Sequence, residues 1–421
     1  MRIIDRRSFL QLAGAAGAAG LVHFPDSPFL RSALAAETAS VDSIIHGKSA
    51  KMIVHNAKLG VMETPLAALR TSMRTSKEIA YTRMHFPVSG ENAWHATIDP
   101  APQTMIEQWR IRVGGLVQRP KTVTMADLQR MPMVQRTSVM QCAGNGRSYY
   151  WDKAKTPGSG WQHGGMANLS WEGVPVRALL DSLELNPSNE VRYLTANGRD
   201  VPVVSGGADL IKSVPLDAPQ LDDAILALRM NGEPIPLVHG GPVRLIIPGF
   251  YGNMNVKWVT DLTLDPEQTP SAFMQKTYRM PHRPVEPGKF TVQDLTQDNS
   301  DPTYGFAIMS VVFGPMAGET VRGGDVTIHG VAWNDGVVPI SEVRVSLDRG
   351  ATWHAAEFEA PDGPYAWHPW QLRISLASGA HEIRVRAIDA WGRTQPTDGL
   401  TTWNPGGWDW HGIDRVPFQV A

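Results

Sequence analysis

Cys142 is the only cysteine in 421 residues, and it stands in Met140-Gln141-Cys142-Ala143-Gly144-Asn145-Gly146-Arg147-Ser148. A single cysteine makes neither an intrachain disulfide nor a two-cysteine metal site. The turn that holds it is rich in Gly and Asn, residues that supply left-handed backbone where a chain must fold tightly around something. A run that reads as a strand, Thr137 to Met140, leads into it. Arg147, five residues on, can hold a thiolate or an anion by charge. A free cysteine is as readily a small buried apolar side chain, and the spacing alone leaves both uses open.

The first residues bear on that choice. Asp5-Arg6-Arg7-Ser8-Phe9-Leu10, an Ala/Gly/Leu stretch to about Val22, and Ala33-Leu34-Ala35 together read as a twin-arginine export signal over residues 1–35. The expectation is a periplasmic protein, carried across already folded and often around a cofactor. The apolar stretch is too short and glycine-rich for a membrane anchor. One unpaired cysteine in an exported chain makes sense where a soft metal caps the thiolate.

Composition narrows the class. A net charge of −2 without a run of like charge gives no reason to expect a nucleic acid or membrane-surface partner. A hydrophobic fraction of 42% is ample for real cores, and 32 Pro, 39 Gly and 14 Trp point to loop-rich, strand-rich folds. There is no CxxCH for attaching haem, no phosphate-binding glycine loop for nucleotides, and no Gly-x-Ser-x-Gly elbow for a serine hydrolase.

The elements that must position Cys142 come from periodicity. Residues 36 to about 100 are mixed, broken by Pro65, Pro87 and Pro100. Trp109 to Val113 alternates as a strand, Thr124 to Leu128 reads as a short capped helix, and Val174 to Leu180 opens another with Pro175 in its first turn. Val191 to Thr195, Ala224 to Met230 and Val243 to Ile247 read as strands, and Asn231-Gly232 as a hairpin turn. Pro266, Pro270, Pro281, Pro284 and Pro287 predict a stiff, irregular linker. Beyond it Val326 to Val331, Glu342 to Leu347 and Glu382 to Ala387 alternate as sandwich strands. His329 and His354 read as structural, Asp222 and Asp223 as a solvated turn, and Trp403, Trp408 and Trp410 as packing in a strand-poor tail.

Several motifs agree in order and spacing with one family. Cys142-Ala143-Gly144-Asn145-Gly146-Arg147, Thr82-Arg83-Met84-His85-Phe86-Pro87, Gly160-Trp161, Trp171-Glu172-Gly173-Val174-Pro175, His239-Gly240-Gly241-Pro242-Val243-Arg244 and Asn255-Val256-Lys257-Trp258 resemble the sulfite oxidase family of molybdenum enzymes. The resemblance runs over nearly the whole chain after the signal. It implies an α+β molybdopterin-binding domain (40–283) followed by an all-β immunoglobulin-like dimerisation domain (284–421). It implies Cys142 as the molybdenum ligand, and His239, Arg244 and Lys257 as the grip on the molybdopterin phosphate, with Asp209 as a cofactor-binding carboxylate. Arg83, His85, Arg147 and Trp161 are implied to line the substrate pocket. A phosphate does want the arginine fork and further cationic donors, and a pterin with many ring N–H groups wants a carboxylate.

The implied activity is oxidation of sulfite, or a related sulfur oxyanion, to sulfate. Electrons would leave for a separate c-type cytochrome, because this chain attaches no haem, and the expected assembly is a homodimer or a heteromer with a cytochrome subunit. Two departures matter. The family's pocket tyrosine is missing before Ser213-Val214-Pro215, where Lys212 stands, and Val338 occupies the place of an expected sandwich arginine. Lys212 is the candidate substitute cation, and Tyr149, Tyr150 and Tyr251 are candidate replacements for the phenol. The loop around Lys212 and Gly252-Asn253-Met254-Asn255 resembles the sulfane dehydrogenase molybdenum subunit of thiosulfate-oxidising systems, the alternative activity. A reductase of protein methionine sulfoxide shares the core domain but normally lacks the sandwich. A non-catalytic exported sandwich protein with a retired core is the alternative of another class, set against an intact Cys142, His239, Arg244 and Lys257.

Overall fold

The computed structural model describes residues 40–202 and 206–421. The expected export signal lies outside the described residues, and among those described no helix is long and apolar enough to cross a membrane. Two sheets build the first part. One is mixed, in the order Lys121–Thr124, Arg110–Gly115, Val259–Asp265, Tyr193–Gly198, Lys212–Pro215. Its Arg110–Gly115 strand buries Ile111 and Val113 and exposes Arg110 and Arg112, as period-two alternation requires. The other runs Glu233–Pro234, Ile225–Met230, Met166–Pro175, Val134–Gln141, with Arg244–Ile246 also paired to Ile225–Met230. Met166–Pro175 and Ile225–Met230 are buried along nearly their whole length, so this sheet is covered on both faces.

Local chemistry explains the boundaries. Thr124 and Asp127 form a reciprocal capping box that starts the helix Met125–Arg130. Asn231 and Gly232 both take positive φ, 54° and 84°, which the tight hairpin between Ile225–Met230 and Glu233–Pro234 needs. The helix expected from Val174 begins later, at Val176–Ser182, with Pro175 as its cap. Val174 is instead paired with Leu226 in the sheet, and the ladder outcompetes an early helical turn.

The second part is a two-sheet sandwich. Met309–Gly314, Gly324–Trp333, His368–Leu376 and Glu357–Phe358 make one sheet. Thr320–Val321, Asp414–Val420, Gly379–Asp389, Ile340–Ser346 and His354–Ala355 make the other. Ile328, Val345, Trp370, Val385 and Phe418 fill the space between them without a disulfide.

The expected stiff linker is not a spacer. It contains the helix Ala272–Gln275 and the strand Arg279–Pro281, paired with Ser300–Pro302. Buried Arg279 draws the segment in by donating to Met274 O, Ser300 Oγ and Ser300 O, so satisfied donors and apolar anchors override the prolines' stiffness. Residues 403–411 form a strap. Trp403 donates to Ala154 O at 3.2 Å, the Asp409 amide donates to Ala143 O at 2.8 Å, and Tyr251 donates to the Asp409 carboxylate.

The sandwich also reaches the strand that delivers the cysteine. Buried Trp333 donates from Nε1 to Gln141 Oε1 at 2.7 Å, one residue before Cys142. Trp333→Phe would leave that amide oxygen buried without its donor, and a loss of about 1–3 kcal/mol in urea unfolding is expected. A variant as stable as the parent would show that this bond contributes nothing to the join.

Candidate active site

Val134–Gln141 ends where the Gly/Asn-rich turn begins, so the Cys142 thiol stands at a strand end. Its backbone amide donates to Gly165 O at 2.8 Å, and its sulfur accepts from the Gly144 amide at 3.4 Å. It faces a cavity whose wall includes Arg83, His85, His239, Arg244, Asn253, Lys257 and Tyr278. Arg83 and His85 come from the irregular segment after Ala80. His239 comes from the turn Leu237–His239, Arg244 from the start of Arg244–Ile246, and Lys257 from the loop before Val259–Asp265.

No carboxylate is among the described residues that line this cavity. At one end His239, Arg244 and Lys257 are held by backbone carbonyls: Arg244 Nη1 donates to His239 O at 2.8 Å, and Lys257 Nζ to Val238 O at 2.9 Å. Burial lowers the Arg244 guanidinium to about 10 and pushes Lys257 well below its ordinary range, with Arg244 adding repulsion. Arg244 also lies 5.5 Å from the centre of the Trp171 ring, so the Trp-x-Gly-Val-Pro segment backs this end.

The other end surrounds Cys142. Tyr278 Oη lies 2.7 Å from His85 Nε2. Burial, then Arg83, Lys212 and Lys257, hold His85 well below the imidazole range, so it is neutral near pH 7. Burial raises the Tyr278 phenol, so a neutral phenol and a neutral imidazole share this hydrogen bond. Arg147 lies beside this end, donating to Gly406 O at 3.2 Å and Ser159 O at 3.1 Å. A Cβ at Gly144, Gly158 or Gly407 would come within 2.7 Å of its side chain, so three glycines cradle it. Burial lowers its proton affinity, with neighbouring Cys142 acting in the opposite sense.

Buried polar atoms without partners point to a missing ligand. Arg83 Nη1 and both polar atoms of Asn253 are buried and unpaired, and both residues line the cavity. An adjoining cavity shares Arg83, His85, Asn253 and Lys257 and adds Asp200. Burial, then the neighbouring Asp209, raises the Asp200 carboxyl to about 6. Cations at one end, free donors and acceptors along the wall, and a carboxylate beyond fit a polyanionic heterocycle such as molybdopterin. Among the described residues no group of three His, Cys, Asp or Glu side chains could hold a metal ion. A metal at Cys142 would therefore need ligands from outside the protein.

The structure thus brings Cys142, Arg83, His85, His239, Arg244 and Lys257 onto one wall, with Arg147 beside it. Three expected site residues lie off the wall. Trp161 is fully buried and backs it, packed edge-on to Tyr81 at 5.9 Å. Lys212 donates to Phe273 O and lies 4.6 Å from the Tyr278 ring centre, supporting the phenol from behind. Asp209 accepts from Asn197 Nδ2 at 2.9 Å, and Asp200 is the carboxylate that lines the adjoining cavity. Asp200 ends the Tyr193–Gly198 strand region, a position that counting from the Ser-Val-Pro segment passes over.

Tyr149, Tyr150 and Tyr251 do not line the cavity. Tyr149 packs on His163 and Trp410, Tyr150 donates to Thr402 O, and Tyr251 donates to Asp409. Val338 serves only through its carbonyl, which accepts from Asn334. The missed residues are Tyr81, Asn253 and Tyr278 on this wall and Asp200 in the adjoining cavity. Asn253 stood in a segment already singled out, whereas Tyr278 had no signal, because it sits in the proline-rich stretch.

Two family models match this chain. The oxidoreductase molybdopterin binding domain covers residues 98–273, and the Mo-co oxidoreductase dimerisation domain covers residues 300–413. Mitochondrial sulfite oxidase of Homo sapiens is 29% identical over 352 residues, spanning 81% of this chain and 61% of the human protein. Sulfite oxidase of Arabidopsis thaliana is 28% identical over 376 residues, spanning 83% of this chain and 90% of the plant protein. The crystal structure of the sulfane dehydrogenase SoxCD from Paracoccus pantotrophus superposes with a TM-score of 0.69 at 25% identity, covering 95% of this chain and 93% of that one. Fold, site and these matches together make the chain a member of the sulfite oxidase family of molybdenum enzymes. It spans about three fifths of the human mitochondrial enzyme's length.

Two buried lysines make the site's electrostatics measurable. Burial brings Lys48 and Lys212 from 10.5 in the unfolded chain to about 7 in the folded one. Between those values the unfolded chain binds more protons, so stability rises with pH there. Cofactor-free protein is expected to gain stability from about pH 7 towards pH 10, and Lys212→Met to flatten part of the rise, in urea unfolding at stepped pH. A parent profile that is flat or falling over this window would count against burial as the governing effect.

Proposed function

We propose that this protein oxidises sulfite to sulfate at Cys142. The observation that carries the reading is the cavity itself: a strand-end thiol beside Arg83, His85, Tyr278 and Arg147, continuous with a carboxylate-free cationic end. In this reading Cys142 ligates molybdenum, and His239, Arg244 and Lys257 hold the molybdopterin phosphate. Asp200 accepts ring N–H groups of the pterin. The bound cofactor supplies oxygen-atom transfer and takes up two electrons.

The side chains do the rest. Arg83 and Arg147 draw the oxyanion in by charge and orient it through guanidinium N–H groups. Neutral His85 is held in place by the Tyr278 hydroxyl. Tyr278 takes the place of the phenol missing before Ser213, and Lys212 steadies its ring. The electrons pass to a separate c-type cytochrome in a short-lived encounter. Export by the twin-arginine route and dimerisation through the sandwich complete the proposal.

A second reading, oxidation of a carrier-bound sulfane sulfur with a cytochrome subunit, is supported by the near end-to-end superposition on SoxCD and by the relocated phenol. One assay separates the two. Molybdenum content is measured first, and then bleaching of the cofactor absorbance by sulfite. Rapid bleaching of the loaded protein is expected, slowed on the order of 10–100-fold in Tyr278→Phe, with molybdenum lost in Cys142→Ser. Loaded protein that ignores sulfite but responds to a sulfane donor would transfer the reading to the second activity. Protein made with cofactor supply intact yet free of molybdenum would sink both.

A further inference from the structure

Lys48 belongs to none of the motifs above and lines neither cavity, yet it is only 4% exposed. It follows the short helix Val41–Ile44, far in sequence from the residues it meets. Its ammonium has three N–H donors and three partners: Lys77 O at 2.5 Å, Ala80 O at 2.6 Å and His239 Nε2 at 2.9 Å. Burial, followed by Lys48, Lys257 and Arg244, holds His239 well below the imidazole range, so the ring is neutral. An ammonium has no lone pair to offer. Burial brings Lys48 to about 7, so below that pH its charged form donates to all three partners, Nε2 accepts, and the ring proton of His239 sits on Nδ1.

That choice of tautomer matters for an anion. A neutral histidine offers one donor and one acceptor, and only the N–H side helps a phosphate. The two carbonyls gripped by Lys48 close the turn just before Tyr81 and Arg83, and Ala80 itself lines the cavity. The same ammonium therefore ties the phosphate end to the segment that carries Arg83 and His85.

We propose that Lys48 is a positioning residue for the cofactor's phosphate, locking His239 as an Nδ1–H donor and anchoring the Lys77–Ala80 turn beside it. This rests on the molybdopterin reading above. The test uses the loaded full-length protein with isotopically labelled histidine, as parent, Lys48→Met and Lys48→Gln. The ring nitrogens of His239, assigned by their loss in His239→Gln, report the tautomer. Fluorescence of oxidised pterin reports the rate of release in mild urea.

Below pH 7, where Lys48 is charged, the parent is expected to show Nδ1–H. Lys48→Met should lose that tautomer and release pterin roughly tenfold faster or more. Lys48→Gln, whose amide can still donate to Nε2, should keep both the tautomer and most of the retention. An unchanged tautomer in Lys48→Met would overturn the proposal. So would a Gln variant that keeps the tautomer but releases pterin as fast as Met, or as fast as an unfolded chain if Met does not fold. Neither readout uses a sulfur substrate, so a failure of the sulfite assay leaves the result standing, whereas a parent without pterin would remove the cofactor reading beneath it.

Discussion

Desolvation of cations is the constraint on which this structure turns. Arg244 and Lys257, backed by Lys48 through His239, converge on a wall with no carboxylate among its described residues. Taking a charge out of water costs several kcal/mol unless partners replace the lost hydration. Here the replacement is backbone: carbonyls of Lys77, Ala80, Val238, His239 and Asn255 accept from the three side chains. Those bonds hold the loops in place but carry no full negative charge. An anion in the cavity would meet a site already oriented for it, without further reorganisation.

The same logic applies at the other end, where arginine is held differently. Arg147 is enclosed by glycines from three places in the chain, including Gly407 of the strap. Its guanidinium donates to carbonyls of Ser159 and Gly406. The strap is in turn fastened to the cysteine turn through Asp409 and to the first sheet system through Tyr251. Trp408, packed on Tyr278 at 5.1 Å between ring centres, links it to the phenol. The connection between Gly379–Asp389 and Asp414–Val420 is therefore part of the site's outer wall.

Neutrality is as deliberate as charge. His85 sits among Arg83, Lys212 and Lys257, and burial with that repulsion removes its proton. It then adds hydrogen bonding without another positive charge. The phenol that completes the pair comes from a stretch whose prolines suggest a passive connector. Arg279, buried just after it, folds that connector back by donating to Met274 and Ser300.

The sequence by itself determined the parts whose chemistry is local. Cys142 in its turn, the Arg-x-His segment, and His239, Arg244 and Lys257 at their spacings all reached one cavity, because each motif carries its own backbone geometry. Alternating strands likewise announced the sandwich, since a half-buried strand must alternate. Tertiary structure alone decided the rest. Lys48 meets His239 across 191 positions and Tyr278 meets His85 across 193, distances over which a chain leaves no periodic trace. Asp200 rather than Asp209 reaches the adjoining cavity, and Trp161 and Lys212 stand behind the wall, because a one-layer displacement depends on how sheets and loops pack. Spacing fixes which residues travel together, whereas packing fixes which of them face inward.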